Sequence, residues 1–370
     1  MKLTPLYQKH LGLNAQMYTT AVGYQMPAHY GDVAREAKNV RDNVGMIDLS
    51  LMGRLDIKGE DAIALTQYLI VNNAEALSDG QALYSVMCNA DGKIVDDVVV
   101  FRFGVEHMRV ITSSMFRSST LAWIQQHIDD RKMSAYVTDV SSYYAMIAVQ
   151  GPKSRAVLSG ATDIDMTRLG YFRLATGRIG DNDCHIARVG YSGELGYECY
   201  VNAEDAHSTW DLIAGAGEAH GMMPYGMEAL DALRWEKGFI FFGFDATAAN
   251  NPYECRVHTF IRYDCGDFLG RKALMNIKER GPAKMLMGIE VDGNSLARGG
   301  SELRIGNKRV GNVVAGFHSP NLDRNLGYAY VDAPYFKAGT ALNSDVDGVT
   351  TKVTVVEMPF LDPAGARMRA

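Results

Sequence analysis

From about residue 283 onward the chain never sustains a helical period. Short alternating segments follow one another at 285–291, 302–305, 308–316, 325–331 and 351–356, separated by glycine-rich turns. Regularly spaced short strands of this kind close into a small antiparallel barrel or sandwich. This texture sets a boundary near residue 280. Before it, helical and hairpin patterns alternate. Residues 33–46 read as a helix with Gly45 as its cap, and 61–71, 119–128, 203–220 and 227–237 read as further helices. Segments 82–88 and 93–103 flank the turn Asn89, Ala90, Asp91, Gly92, and 171–179 and 183–189 flank Gly180, Asp181, Asn182, so each pair reads as a hairpin. Residues 54–58, 108–112 and 146–150 read as further strands. The fold class expected is α+β, and 370 residues are enough for two or three cores.

Several function classes drop out. The net charge of −6 argues against a nucleic-acid partner. There is no P-loop and no strand followed by G-x-G-x-x-G. The nine histidines form no H-x-x-x-H or H-x-H pair, so no metal site is expected. The five cysteines, Cys88, Cys184, Cys199, Cys255 and Cys265, form no C-x-x-C pair and read as reduced, packed thiols. The first residues lack the apolar stretch of a secretory signal, and no run reaches the ~18 apolar residues of a membrane span. The compartment expected is the cytoplasm, with no membrane partner.

Three segments carry chemistry. In 92–100, a strongly β-forming run contains the adjacent carboxylates Asp96 and Asp97. Strand alternation puts Asp96 with Ile94 and Val98, and Asp97 with Val95 and Val99. Both faces are otherwise apolar, so at least one carboxylate meets desolvated surroundings that raise its pKa. The plain alternative is a strand-end aspartate accepting backbone hydrogen bonds. In 188–198, three glycines permit close ligand approach, and Tyr191 and Tyr197 alternate with Glu194 and Glu198. A carboxylate there can accept two hydrogen bonds from an amino-pyrimidine edge while a tyrosine stacks on the ring. The alternative is a hairpin with surface acids. In 225–238 the pattern is an amphipathic helix, which on its own reads as packing.

Together these segments resemble the glycine cleavage T-protein (aminomethyltransferase) family. The supporting motifs run in order: T-P-L-Y at 4–7, Y-Q-M-P at 24–27, V-G-M-I-D-L-S at 44–50, A-L-Y at 82–84 with 92–97, V-Q-G-P at 149–152, 190–198, and D-F-L-G-R at 267–271. The resemblance implies a three-domain cloverleaf with tetrahydrofolate in a central channel. Domain 1 would comprise 1–51 and 139–280, an inserted domain 52–138, and a C-terminal β-barrel 281–370. It implies Asp96 as the catalytic aspartate, and Tyr84, Tyr191 and Glu198, with Asp96, as folate-binding residues. The sequence departs from the family's pattern at Leu51, Tyr24, Ser113 and Leu230, where the pattern has histidine, tryptophan, asparagine and arginine.

Residues 228–239, 192–195 and the N-N-P-Y-E-C segment at 250–255 resemble relatives that demethylate nitrogen and sulfur: sarcosine oxidase, dimethylglycine dehydrogenase and dimethylsulfoniopropionate demethylase. The expectation is therefore a demethylase that passes a methyl group from a small N-, S- or O-methylated substrate to tetrahydrofolate. Tyr24 or Tyr30 would meet a cationic donor by cation–π attraction. The second reading is an aminomethyltransferase that takes its group from a lipoyl carrier protein and makes 5,10-methylene-tetrahydrofolate. The third is a folate-binding protein without catalysis.

Overall fold

The computed structural model describes residues 1–293, 296–346 and 348–370. Its strands fall into three main sheets and one two-stranded hairpin. The first sheet has the order Leu174–Ile179, Asn182–Ala187, Gly196–Asn202, Tyr144–Gln150, Gly45–Asp48 and Met223–Pro224. The second has the order Gln81–Cys88, Ile94–Gly104, His107–Thr112, Gly53–Lys58 and Tyr136–Asp139. All of its strands lie between two strands of the first sheet, Gly45–Asp48 and Tyr144–Gln150, in sequence. The third sheet is a closed, all-antiparallel barrel of six strands running from Lys284–Val291 to Val349–Val356.

The second sheet is covered on one face by its own helices, Ala62–Leu69 and Arg117–Arg131. Leu55, Ile57, Val98, Val100 and Val110 pack there against Leu65 and Ile124. Its opposite face carries Val99, Phe101 and Ile111. These meet Ile47, Ala148, Ala187 and Tyr200 of the first sheet, with Leu230 and Leu233 of the helix Met227–Glu236. Phe101 and Tyr200 touch edge to face, ring centroids 5.8 Å apart. This seam between two sheet faces positions the site. The barrel docks alongside: Trp235 stacks on Phe317 at 4.9 Å, and Ser319 Oγ donates to the buried Glu236 carboxylate at 2.6 Å.

Two local readings change. The helix expected at 33–46 is Val33–Asp42, capped by Asp32, whose side chain accepts from the Arg35 N–H. Gly45 is the first residue of a buried strand instead of a helix cap. A Cβ there would stand 2.5 Å from Val40 and 2.6 Å from Tyr225, so close packing by the helix requires glycine. The strand Ala341–Val346, not expected from sequence, alternates exposed and buried residues while hiding only Leu342, Ser344 and Val346.

Candidate functional site

The pleat of the strand Ile94–Gly104 separates the two aspartates. Asp96 shares the face of Val98 and is fully buried among the helices of the second sheet. Its carboxylate accepts from both the Thr112 and Thr120 hydroxyls, the latter at 2.6 Å, and from the Asp97 N–H at 2.9 Å. Burial pushes its pKa up to about 8, against these three donors. Asp97 shares the face of Val99 and Phe101, which looks onto the first sheet. It remains partly exposed, and its Oδ2 accepts from the Tyr84 hydroxyl at 3.2 Å. Burial lifts Asp97 to about 6, partly offset by the Tyr84 bond. Asp96 thus points into its own domain, and Asp97 is the carboxylate that faces the seam.

Around Asp97 lies a set of groups that influence one another's charge. Arg234, on the helix Met227–Glu236, holds Asp231 at 2.6 Å and Asp245 at 2.5 Å. Both Arg234 and Asp245 act on Asp97 and on Tyr191. With Arg234 committed to two other carboxylates, Asp97 has no ion-pair partner among the described residues. Tyr84 packs against Phe260 at 4.8 Å, and Tyr191 stacks on Phe239 at 5.7 Å with its rings nearly parallel. The Tyr191 hydroxyl donates to the Ile240 carbonyl. Both tyrosines are partly buried, leaving apolar ring surface beside a carboxylate.

Glu198 stands in the middle of the first sheet, in register with Ala187 on one side and Ala148 on the other. Small methyl side chains thus flank the carboxylate on both neighbouring strands. Its one side-chain hydrogen bond among the described residues is from the Tyr200 hydroxyl, at 2.6 Å, and burial pushes it up to about 7. It therefore retains accepting capacity for a ligand. Its neighbour in the motif behaves otherwise. Glu194 is consumed by Arg41 at 2.8 Å and Arg367 at 2.7 Å. The motif's glycines also have an internal reason. A Cβ at Gly190 or Gly196 would stand 2.1 or 2.3 Å from the Gln150 side chain, which the loop wraps and Ser192 Oγ bonds at 2.8 Å.

The two tyrosines expected to meet the donor bond to other groups. The Tyr30 hydroxyl bonds His10 Nδ1 at 2.8 Å, and His10 Nε2 meets Asp48 at 3.0 Å, both buried. Tyr30 thus completes an internal relay. Tyr24 sits on the hairpin Gln16–Thr19/Gln25–His29 side of the crossover, its hydroxyl 3.4 Å from Arg117 and its ring 5.4 Å below Lys2. Neither touches Asp97, Tyr84 or Glu198 through any described bond. The 250–255 segment is structural: the Asn250 carbonyl accepts from Ile94 N–H and the Glu254 carbonyl from Leu286 N–H, tying second sheet to barrel. Arg234 and Asp245 were not singled out from sequence; the arginine belongs to a helix whose pattern signals only packing. Among the described residues, no group of three His, Cys, Asp or Glu side chains is arranged to hold a metal ion. No described helix is long and apolar enough to cross a membrane.

The family model for the GCVT N-terminal domain matches residues 6–265, and that for the glycine cleavage T-protein C-terminal barrel domain matches 284–362. The chain belongs to the glycine cleavage T-protein family. It is 33% identical over 364 residues to an aminomethyltransferase of Alkaliphilus oremlandii, covering 97% of each chain. It is 34% identical over 361 residues to one of Thermotoga neapolitana, covering 97% of this chain and 98% of that one. Its fold matches the glycine cleavage system aminomethyltransferase T of Bartonella henselae, with a TM-score of 0.90, 24% identity and 98% of both chains covered. This agrees with the α+β class and the C-terminal barrel expected from sequence. The relatives are named aminomethyltransferases, so the likeness favours the second sequence reading over the demethylase one.

Proposed function

We propose that this protein is a tetrahydrofolate-dependent one-carbon transferase of the aminomethyltransferase type, working in the seam between its first two sheets. The observation that carries this reading is a pair of carboxylates on facing sheets, Asp97 partly buried and Glu198 buried, neither paired with a cation among the described residues. Partly buried Tyr84 and Tyr191 flank them. The donor set fits the cofactor: Glu198 can accept from the amino-pyrimidine edge of a pterin, and the tyrosines offer ring faces. Tetrahydrofolate supplies the N5 and N10 nitrogens that accept the carbon. Asp97, near neutral in its ionisation, would hold or take a proton at those nitrogens and stabilise positive charge developing there. Glu198 and the tyrosines would orient the ring, and positioning of the two reactants supplies much of the rate. Under this reading the one-carbon unit is an aminomethyl group on a lipoyl carrier. The three proposed domains, 1–51 with 139–280, 52–138, and 281–370, would place the cofactor where they meet.

A second reading keeps the small methylated donor. It is favoured by Leu230, which is 5% exposed and packs with Ile111 and Leu233 in an apolar wall where the family's pattern has an arginine. The products separate the two readings. With tetrahydrofolate and an aminomethylated lipoyl carrier, the first gives 5,10-methylene-tetrahydrofolate and ammonia. With N-, S- and O-methylated small molecules, the second gives 5-methyl-tetrahydrofolate. Folate binding without turnover from either donor leaves the non-catalytic reading, and absence of folate binding overturns all three.

A further inference from the structure

The last turn of the helix Met227–Glu236 and the loop after it are tied to one side chain. Arg234 is buried, and its Nη1 donates to the Phe239 carbonyl at 3.2 Å and to Asp245 Oδ2 at 2.5 Å. The Phe239 N–H returns to the Arg234 carbonyl at 3.0 Å, and Asp245 Oδ2 also accepts from the Phe241 N–H at 2.7 Å. The guanidinium lies against the rings of Trp235 and Phe241, 5.0 and 5.5 Å from their centroids. Residues 239–245 are thus closed at both ends on the Arg234–Asp245 pair, whose side chains are 3% and 2% exposed. A pair buried this deeply holds its loop firmly, because breaking it leaves an unpaired charge in the interior.

The loop supplies two contacts of Tyr191. The Tyr191 ring stacks on Phe239 at 5.7 Å with the planes 10° apart, and its hydroxyl donates to the Ile240 carbonyl. What fixes the loop therefore fixes that ring. The same pair acts on Asp97. Burial dominates the ionisation of Asp97 and the Tyr84 hydroxyl works against it; Asp245 and Arg234 then pull in opposite directions, the acid upward and the arginine downward. The other titratable groups about Asp97 are Asp96 on its own strand, Tyr84 on the next strand, Tyr191, and Cys255 on the 250–255 segment. None of these is a cation. Burial keeps the two phenols and the thiol neutral between pH 5 and 8.

We propose that Arg234 and Asp245 are positioning residues of the folate site: they hold Phe239 and Ile240 so that the Tyr191 ring is presented to the pterin, and together they balance the charge that Asp97 meets. This rests on the transferase reading above and adds two residues that act through Tyr191 and Asp97. The alternative is a staple that only keeps the loop folded. The two differ in sign. A loosened loop admits water, which lowers the pH at which Asp97 ionises whichever partner is removed. Charge balance gives opposite shifts instead. Asp245→Asn removes an anion and frees the cation, so Asp97 ionises at lower pH. Arg234→Met removes the cation and leaves Asp231 and Asp245 behind, so Asp97 ionises at higher pH.

Turnover and binding by the full chain test this: kcat with tetrahydrofolate and the aminomethylated lipoyl carrier from pH 5 to 8, and affinity for 5-formyl-tetrahydrofolate by calorimetry. The rising limb of kcat should move down by at least about half a pH unit in Asp245→Asn and up by as much in Arg234→Met. Both variants should bind 5-formyl-tetrahydrofolate about 3- to 10-fold more weakly, the worth of an aromatic contact. Arg234→Lys keeps the charge but not the planar fork that reaches Asp231 and Asp245 together, so it should hold the limb near wild type while sharing the loss of affinity. Phe239→Leu leaves the pair intact and should lose affinity without moving the limb. If the two charge-removing variants do not fold, Arg234→Lys and Phe239→Leu carry the test, and wild-type affinity in either overturns the proposal. A wild-type profile without the limb, or limbs that stay in place or move the same way in Asp245→Asn and Arg234→Met, also overturn it. Wild-type protein that binds no folate sinks the transferase reading on which it rests.

Discussion

Asp97→Asn removes the seam-facing carboxylate that the Tyr84 hydroxyl bonds, while keeping the side chain's size and an oxygen to accept that bond. General acid–base groups contribute about 100- to 10,000-fold to turnover, so kcat should fall by at least about 100-fold. The pH profile makes the prediction specific. With burial holding Asp97 at about 6, its ionised fraction rises from about one-eleventh at pH 5 to about ten-elevenths at pH 7. If the ionised form does the work, wild-type kcat climbs roughly tenfold across that interval. The climb should be missing from the residual activity of Asp97→Asn.

The control is the adjacent residue. Asp96→Asn should retain the rising limb, because its side chain points into the helices of the second sheet. Its cost should appear in the unfolding midpoint, since the Thr112 and Thr120 hydroxyls lose a shared acceptor. The assay is initial rate of tetrahydrofolate product formation at saturating substrates from pH 5 to 8, alongside folate affinity by titration. Loss of turnover in Asp96→Asn with the limb intact in Asp97→Asn would refute the argument from the pleat.

Other expectations follow from the same geometry. Glu198→Gln should weaken folate about 10- to 100-fold, and wild-type affinity should improve as pH rises through about 7, where Glu198 ionises. The same residue should act oppositely on the apo fold. Its folded pKa lies above the unfolded 4.5, so folded chain retains a proton that unfolded chain has released, and stability falls as pH rises from 4.5 to about 7. That slope amounts to about 3 kcal/mol and should shrink in Glu198→Gln when unfolding is followed by denaturant at several pH values; an unchanged slope would remove Glu198 from it. Tyr30→Phe should cost about 1–3 kcal/mol of stability, by leaving buried His10 Nδ1 unpaired, and should leave donor affinity untouched. A reversed outcome, stable protein with impaired turnover, would return Tyr30 to the site. Gly190→Ala should destabilise by about 1–3 kcal/mol, because its Cβ meets Gln150; a thermal midpoint equal to wild type would show that the loop yields.

Much of this was legible in the sequence because alternation and helical spacing are local. The barrel strands, both hairpins and most helices appear within a few residues of where the pattern puts them. Ala341–Val346 escaped notice because Ser344 is one of its three inward positions, so polarity does not alternate cleanly. The two aspartates expose a deeper limit. Alternation shows that Asp96 and Asp97 face opposite ways, yet valines lie on both sides, so nothing local says which face meets helices and which meets another sheet. That is decided by Thr112 and Thr120 on one side and by Tyr84 on the other. The same holds for Tyr30, whose partner His10 lies twenty residues away in sequence. The glycines of 190–196 looked like room for a ligand, but their immediate reason is Gln150, far upstream.

Placing the two carboxylates on different sheets has a chemical consequence. Glu198 belongs to a sheet whose strands flank the whole of the second sheet in sequence, and Asp97 belongs to that inserted sheet. Their separation therefore depends on the two connections that cross between the sheets, and Arg54 grips both through Ser50 and Ser141. Near-attack geometry is sensitive to displacements of about 1 Å. Arg54→Lys should loosen that grip and lower kcat while leaving the KM of the donor near wild type, whereas a residue that binds the donor would raise KM.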